Sequence, residues 1–400
     1  MRSFFPTLNT QSKRVVLLAL FLLGFFNCIV FSIVPGFHYI ASYGLLLVFL
    51  LYRKEKFKYS KYIYLYLFFF LISCIYSHLY NGQLLFKTLG FSNIYIGICF
   101  SYYILKTKLS YEDIVQCIIF VSILYCIGYI IQWIVYPLTL FSGANDDGDS
   151  TEVYRVRIAG SLCAYVLFFY GFNMFFLRKN IKYLGYSVLA FIPIIIMGFR
   201  TLTVLSVLFV IAMVLCVKKN IIESIGYFIL LGIFALVALQ TDIVQNKMSE
   251  MMERQERGDT FDNPNYIRVV QFAYFTNEFF TKPGEQFWGG GAPAGNTKYS
   301  QALTDVEETN GYYWVDWGLV GLTWIIGIPA VILLIVMYSH SAWRCKAPYL
   351  QFIRFTLILL VIGSLATTKE LYRSGNILLA SFLLCCEYRY NQAKLNRNGV

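Results

Sequence analysis

Runs of apolar residues follow one another along most of this chain, each closed by a short polar or charged stretch. A bilayer core of ~30 Å needs about twenty apolar residues in a helix. The pattern predicts about twelve such helices, at 15–34, 37–52, 61–79, 89–105, 114–136, 158–177, 182–198, 200–217, 221–240, 312–338, 350–367 and 375–388. The 37–52 run is short, and only the Gly198-Phe199-Arg200 turn parts 182–198 from 200–217. The first run exceeds the ~7–15 apolar residues of a signal peptide and has no small-x-small cleavage site after it, so it is expected to be retained.

The pattern breaks once, for some seventy residues. The chain therefore divides into a helical block at 1–240, a large polar loop at 241–311, a second helical block at 312–388 and a polar tail at 389–400. Connections in such proteins are usually short, so a loop of this size points to a use. Within it, 248–255 reads as an amphipathic helix. Asn263-Pro264 reads as a helix start, with Asn as N-cap and Pro in the first turn, and the helix is expected to run to Phe280. Ile267, Val270, Gln271 and Tyr274 would share one face, with Arg268 beside it. The Trp288-Gly289-Gly290-Gly291 run reads as a turn; its backbone N–H groups could otherwise approach a phosphate. A short helix from Thr304 to Asn310 is expected to lead into the tenth span.

Composition agrees with a membrane class: 58% hydrophobic, 14% charged, mean hydropathy +0.60, against about 25% charged in soluble domains. Twenty of the 33 Lys and Arg fall in alternate connections beginning with the N-terminus, twelve fall in the opposite set, and Arg354 lies inside a span. Only five of the 22 acids share the first side. This bias puts both termini in the cytoplasm and the large loop outside. The net charge of +11 is then a topology signal and implies no nucleic-acid partner. The ten cysteines lie mostly mid-span and suggest neither disulfides nor zinc. The acidic run Asp146-Asp147-Gly148-Asp149 lacks the EF-hand pattern, so no metal is expected.

The outer side holds the candidate chemistry. Arg155 and Arg157 precede the sixth span, Arg200 opens the eighth, and Arg268 sits on the loop helix. Glu307, Glu308 and Asp316 precede or begin the tenth span, and Lys369 and Arg373, four apart, would share a helical face near the last. Arginine at a membrane interface is often only an anchor. Guanidinium groups also bind phosphate bidentately, and carboxylates can take a proton from a hydroxyl. Together they suit transfer from a lipid-linked pyrophosphate to a sugar hydroxyl.

Three patches resemble the O-antigen polymerase and O-antigen ligase superfamily of bacterial inner membranes. They are Arg155-Val156-Arg157-Ile158-Ala159-Gly160, then Gly198-Phe199-Arg200-Thr201, then the large loop. In the loop, Tyr266-Ile267-Arg268 is followed by the glycine run, and Glu307-Glu308-Thr309-Asn310-Gly311-Tyr312 by Asp316-Trp317-Gly318-Leu319-Val320-Gly321. The resemblance implies a GT-C-like glycosyltransferase that polymerises oligosaccharide repeat units carried on undecaprenyl pyrophosphate, without cofactor. Its surroundings would be membrane lipids, with a chain-length regulator and a flippase as further partners. Carried over by position, Arg200 and Arg268 would bind the pyrophosphate, with Arg157 or Arg155 in support. Glu308 is the first choice of general base, Glu307 the second and Asp316 the third. The ligases carry a histidine just before the tenth span; here His38, His78 and His340 are the only histidines and none lies in the loop, which favours a polymerase over a ligase. A flippase or transporter is the rival of another class and would show an internal repeat and helices broken at mid-membrane.

Overall fold

The computed structural model describes residues 4–24, 36–136, 138, 140–141, 158–217, 245, 249, 262–365 and 369–398. Among the described residues the fold is all-helical. In chain order the helices are α1 (Thr10–Leu22), α2 (Phe37–Tyr52), α3 (Ser60–Asn81), α4 (Leu85–Gly90), α5 (Asn93–Ile96), α6 (Phe100–Lys106), α7 (Tyr111–Ile134), α8 (Leu162–Arg178), α9 (Ile181–Ile196) and α10 (Arg200–Val217). Within the large polar segment come α11 (Ile267–Tyr274), α12 (Glu285–Trp288) and α13 (Lys298–Asn310), and after it α14 (Gly318–Ile326), α15 (Ile328–Arg344), α16 (Gln351–Gly363) and α17 (Asn376–Asn398).

Local chemistry sets many of these limits. Ser110 caps α7 by accepting from the Asp113 N–H at 3.1 Å, and Asp113 accepts back from the Ser110 N–H at 3.3 Å, a reciprocal capping box. Asn180 caps α9 and Thr297 caps α13 through side-chain oxygens. Gly198, at φ +71°, turns the chain between α9 and α10.

Among the described residues two helices, α3 and α7, are long and apolar enough to cross a membrane; α2, α8, α9, α10, α15 and α16 are apolar but shorter. The expected single spans at 89–105 and 312–338 are each interrupted. The first becomes α5, a 3₁₀ turn (Gly97–Cys99) and α6, and the second becomes α14 and α15. The run at 221–240 and all of 25–34 lie outside the described residues, as does the expected 248–255 helix apart from Ser249. The expected tail is no separate segment: α17 continues through it to Asn398, tied down by Tyr388 donating to the Lys56 carbonyl at 2.7 Å and Arg389 to that of Leu105 at 2.9 Å.

The core lies where α7, α8, α16 and α17 meet. The outer faces of several helices are also apolar. On α3, Leu65, Phe68, Leu71, Ile75 and Leu79 are exposed at steps of three and four, so they form one stripe. Val204 and Leu208 do the same on α10, and Ile328, Ile332 and Val336 on α15. The described cysteines carry free thiols, and all but Cys216 are buried, as small apolar side chains are.

The break between α14 and α15 is closed by the glycine run. Gly290 and Gly291 donate their N–H groups to the carbonyls of Trp324 and Ile325 at 2.7 and 2.9 Å, and Ser73 adds a bond to the Ile325 carbonyl at 2.7 Å. Gly289 (φ +86°) and Gly327 (φ +86°) lie backbone against backbone, and a Cβ on Gly289 would sit 2.5 Å from the Gly327 nitrogen. These N–H groups are spent on protein carbonyls, so the run does not cradle a phosphate.

Candidate functional site

The loop before α17 organises one end of the bundle. Glu370 is buried and stands 3.0 Å from Arg373 Nε, out of hydrogen-bonding alignment. Its other carboxylate oxygen accepts from Ser161 Oγ at 2.8 Å and from Asn376 Nδ2 at 3.1 Å. Asn376 in turn accepts from the Leu162 N–H at 3.0 Å, which joins the starts of α8 and α17. The Gly160 N–H donates to the Ser374 carbonyl at 2.7 Å, and Gly375 (φ +84°) packs directly on Gly160. Ion pairs taken out of water contribute little net stability, and hold geometry only where their remaining hydrogen bonds are met.

Arg373 reaches the second patch. Its guanidinium carbon lies 4.3 Å from the Phe199 ring centre, so it covers the turn that opens α10 at Arg200. The side chain of Arg200 lies outside what the structure describes, as do Arg155 and Arg157 altogether. The segment leading from those two arginines, Ile158 to Gly160, is the one that packs on Ser374 and Gly375.

The same loop meets the end of the large polar segment. Tyr372 donates to the Val315 carbonyl at 2.9 Å and stacks on Trp314 at 5.7 Å. Leu371 N–H donates to Ser364 Oγ, and Leu319 N–H to the Ser364 carbonyl, each at 2.7 Å. Glu307 lies near the end of α13, and Asp316 lies in the following 3₁₀ turn (Trp314–Trp317). Burial raises the Glu307 pKa above the usual carboxylate value; Lys369 opposes the rise, and Asp316 and Glu308 add to it. Glu308, the first choice from sequence, is exposed. Of the two adjacent glutamates it is Glu307 whose surroundings raise its pKa, a shift of the kind that collects at functional sites.

Lys369 and Arg373 do not share a helical face. The segment is a 3₁₀ turn (Glu370–Tyr372) with Arg373 extended after it, so Lys369 acts on Glu307 while Arg373 turns to Glu370 and Phe199.

Arg268 approaches from the loop helix. α11 begins at Ile267, later than the sequence suggested, because Asn263 caps a local turn by accepting from the Asn265 N–H at 3.0 Å. The helix then widens into a π turn, Phe275–Phe279. Its buried Gln271 donates to the Gly311 carbonyl at 3.0 Å, and Phe272 lies 4.8 Å from the Trp317 ring. Arg268 is one turn earlier than these two contacts, half-exposed, and makes no ion pair among the described residues. α13 runs from Lys298 and is longer than the expected 304–310 helix.

The structure thus gathers Glu307, Asp316, Lys369, Glu370, Arg373 and the start of α10 around residues 311–319, with α11 docked on the same stretch. Glu370, Ser161 and Asn376 were not singled out from sequence. The signal present was the Glu370–Arg373 spacing of three, which reads equally as an exposed pair. Among the described residues no group of His, Cys, Asp and Glu could hold a metal. No protein-family model matches the chain, and no curated protein matches it at a significant level.

Proposed function

We propose that this chain is a polytopic membrane glycosyltransferase that polymerises lipid-linked oligosaccharide repeat units at the outer face of a bacterial cytoplasmic membrane. The observation that carries the reading is the half-buried Glu307, on which the charges of Lys369 and Asp316 act, beside the stretch where α11, with Arg268, docks. Apolar stripes on the outward faces of α3, α10 and α15 support a lipid surround. The charge bias of the connections supports cytoplasmic termini and an outer loop, with about twelve crossings in all.

In this reading Arg268 and Arg200 hold the pyrophosphate of the donor glycan, with Arg157 or Arg155 beside them. Glu307 takes the proton from the acceptor sugar hydroxyl. That oxygen attacks the anomeric carbon, the bond from carbon to pyrophosphate oxygen breaks, and lipid pyrophosphate leaves. The arginines stabilise the charge that develops on it. Burial raises the Glu307 pKa, Lys369 limits the rise and Asp316 adds to it, and the buried Glu370–Arg373 pair fixes the loop that presents Lys369.

A transporter would share one feature, the broken helix at Gly327. There the Trp324 and Ile325 carbonyls are already bonded to the glycine run and to Ser73, so they are not offered to a passing solute. The test is a gene deletion in the native host with surface polysaccharide run on a gel. Collapse of a ladder to one repeat unit, restored by wild type but not by Arg268→Ala, supports a polymerase. Polymer that accumulates on its lipid carrier without reaching a final acceptor means a ligase. Unchanged polysaccharide refutes the glycosyltransferase.

A further inference from the structure

A pocket of about 300 Å³ lies at the other end of α13 from Glu307. It is bordered by the C-terminal end of α3, the chain around α12 and the start of α13. Glu285 lines it with only 1% exposure. The Glu285 carboxylate accepts from Asn81 Nδ2 at 3.1 Å and from the Lys282 N–H at 3.2 Å, which leaves acceptor capacity toward the cavity. Tyr299 also lines it, and its hydroxyl is buried without a hydrogen-bond partner. Burial and the nearby Glu285 push the Tyr299 pKa well above the ordinary phenol value, so it remains an O–H donor.

Two ammonium groups stand at the rim. Lys282 is held by the Tyr80 carbonyl and by Asn81 Oδ1, while Lys298 is exposed with no ion pair among the described residues. Tyr80 adds a half-exposed ring, stacked on Tyr76 at 4.5 Å, and Phe279 adds a second.

A buried carboxylate, an amide, an unsatisfied phenol and aromatic faces in one small cavity match a ring that carries hydroxyls around its edge and C–H groups on its faces. Buried polar groups are seldom left without partners, and pockets that fix a ligand combine an apolar wall with a few placed polar groups. We propose that this cavity is a saccharide subsite that holds a sugar of the oligosaccharide repeat unit away from the reacting end. The assignment of the repeat unit as its source rests on the function proposed above. Tyr299 and Glu307 are eight residues apart on one helix, a separation of about 12 Å at 1.5 Å per residue. That distance calls for an oligosaccharide, so the subsite would hold a distal sugar while the reactive hydroxyl lies at Glu307.

The test uses full-length protein in lipid nanodiscs, with the single repeat-unit oligosaccharide released by mild acid from the host's own polysaccharide as probe. Binding is read by saturation-transfer NMR. Wild type is expected to bind. Tyr299→Phe should weaken binding about tenfold, the value of one hydrogen bond of ~1.4 kcal/mol. Ala302→Trp, which fills the cavity from a half-buried position, should abolish it. Arg268→Ala should bind as wild type while failing to make polymer. Should Ala302→Trp and Tyr299→Phe both bind as wild type, the subsite is overturned while the polymerase reading stands. Absence of binding to wild type overturns the subsite whatever the deletion strain shows. Lys298→Ala, at an exposed position, checks that a loss is not misfolding: a weaker signal with an unchanged size-exclusion profile supports the pocket, and an unchanged signal counts against it.

Discussion

Arg373 stacks on the Phe199 ring at 4.3 Å while its Nε stands 3.0 Å from the buried carboxylate of Glu370. One side chain therefore ties the loop before the last helix to the turn that opens α10. Removing it leaves Glu370 charged and unpaired in the interior. Arg373→Ala is expected to destabilise the protein by about 3–5 kcal/mol, and Glu370→Leu with Arg373→Met together to recover most of that loss. Thermal melting of the solubilised protein separates the two cases; equal melting of the single and double variants would show that the pair is not the cause.

The two adjacent glutamates should behave differently. Glu307→Gln is expected to lower polymerisation by about 10²–10⁴-fold, the usual worth of a general base. Glu308→Gln should leave it within a few-fold, because that side chain is exposed. Rates measured with purified lipid-linked repeat unit decide the matter, and the reverse order would return the role to Glu308.

The pH profile carries a sign that can be worked out. A base must be ionised to act, and the Glu307 pKa is raised, so activity should fall on acidification at a pH above the ordinary carboxylate range. Asp316→Asn removes a negative neighbour that raises this pKa, so the acid limb should move down. Lys369→Met removes the cation that lowers it, so the limb should move up. Shifts in the same direction for both variants would exclude Glu307 as the titrating group.

Arg268 makes no ion pair among the described residues, so its loss should cost chemistry rather than folding. Arg268→Ala is expected to reduce polymerisation by about 10²–10³-fold, as for loss of one charge-assisted donor to a developing anion. Arg268→Lys should recover only part of it, since an ammonium lacks the bidentate fork. Full activity in Arg268→Ala membranes, with the protein present at wild-type amounts, would remove it from the site.

The glycine run is structural and should respond as such. Gly289→Ala places a methyl 2.5 Å from the Gly327 nitrogen at φ +86°. A strained backbone conformation alone costs about 1–3 kcal/mol, before the backbone contact is opened. The variant should lose thermal stability without a change in the pH profile of whatever protein remains folded. A wild-type melting temperature would mean that the break between α14 and α15 is not held by this contact.

The sequence by itself determined the helical class and much of the placing of helices. Apolar periodicity and local caps such as Ser110 with Asp113 act within a few residues of themselves, so they can be read along the chain. It also brought out the arginine and carboxylate patches between the apolar runs, because their charge interrupts apolar text. Other features were decided only in three dimensions. Which of Glu307 and Glu308 is the more buried depends on which face of α13 turns inward, and burial, then Lys369 and Asp316, act on Glu307 there. The fate of the glycine N–H groups depends on carbonyls at Trp324 and Ile325, freed where a helix breaks at Gly327. Arg373 looked like the helical neighbour of Lys369 until a 3₁₀ turn and the Phe199 ring sent the two apart. Burial and pairing of this kind are sums over residues remote in sequence, and no local pattern encodes them.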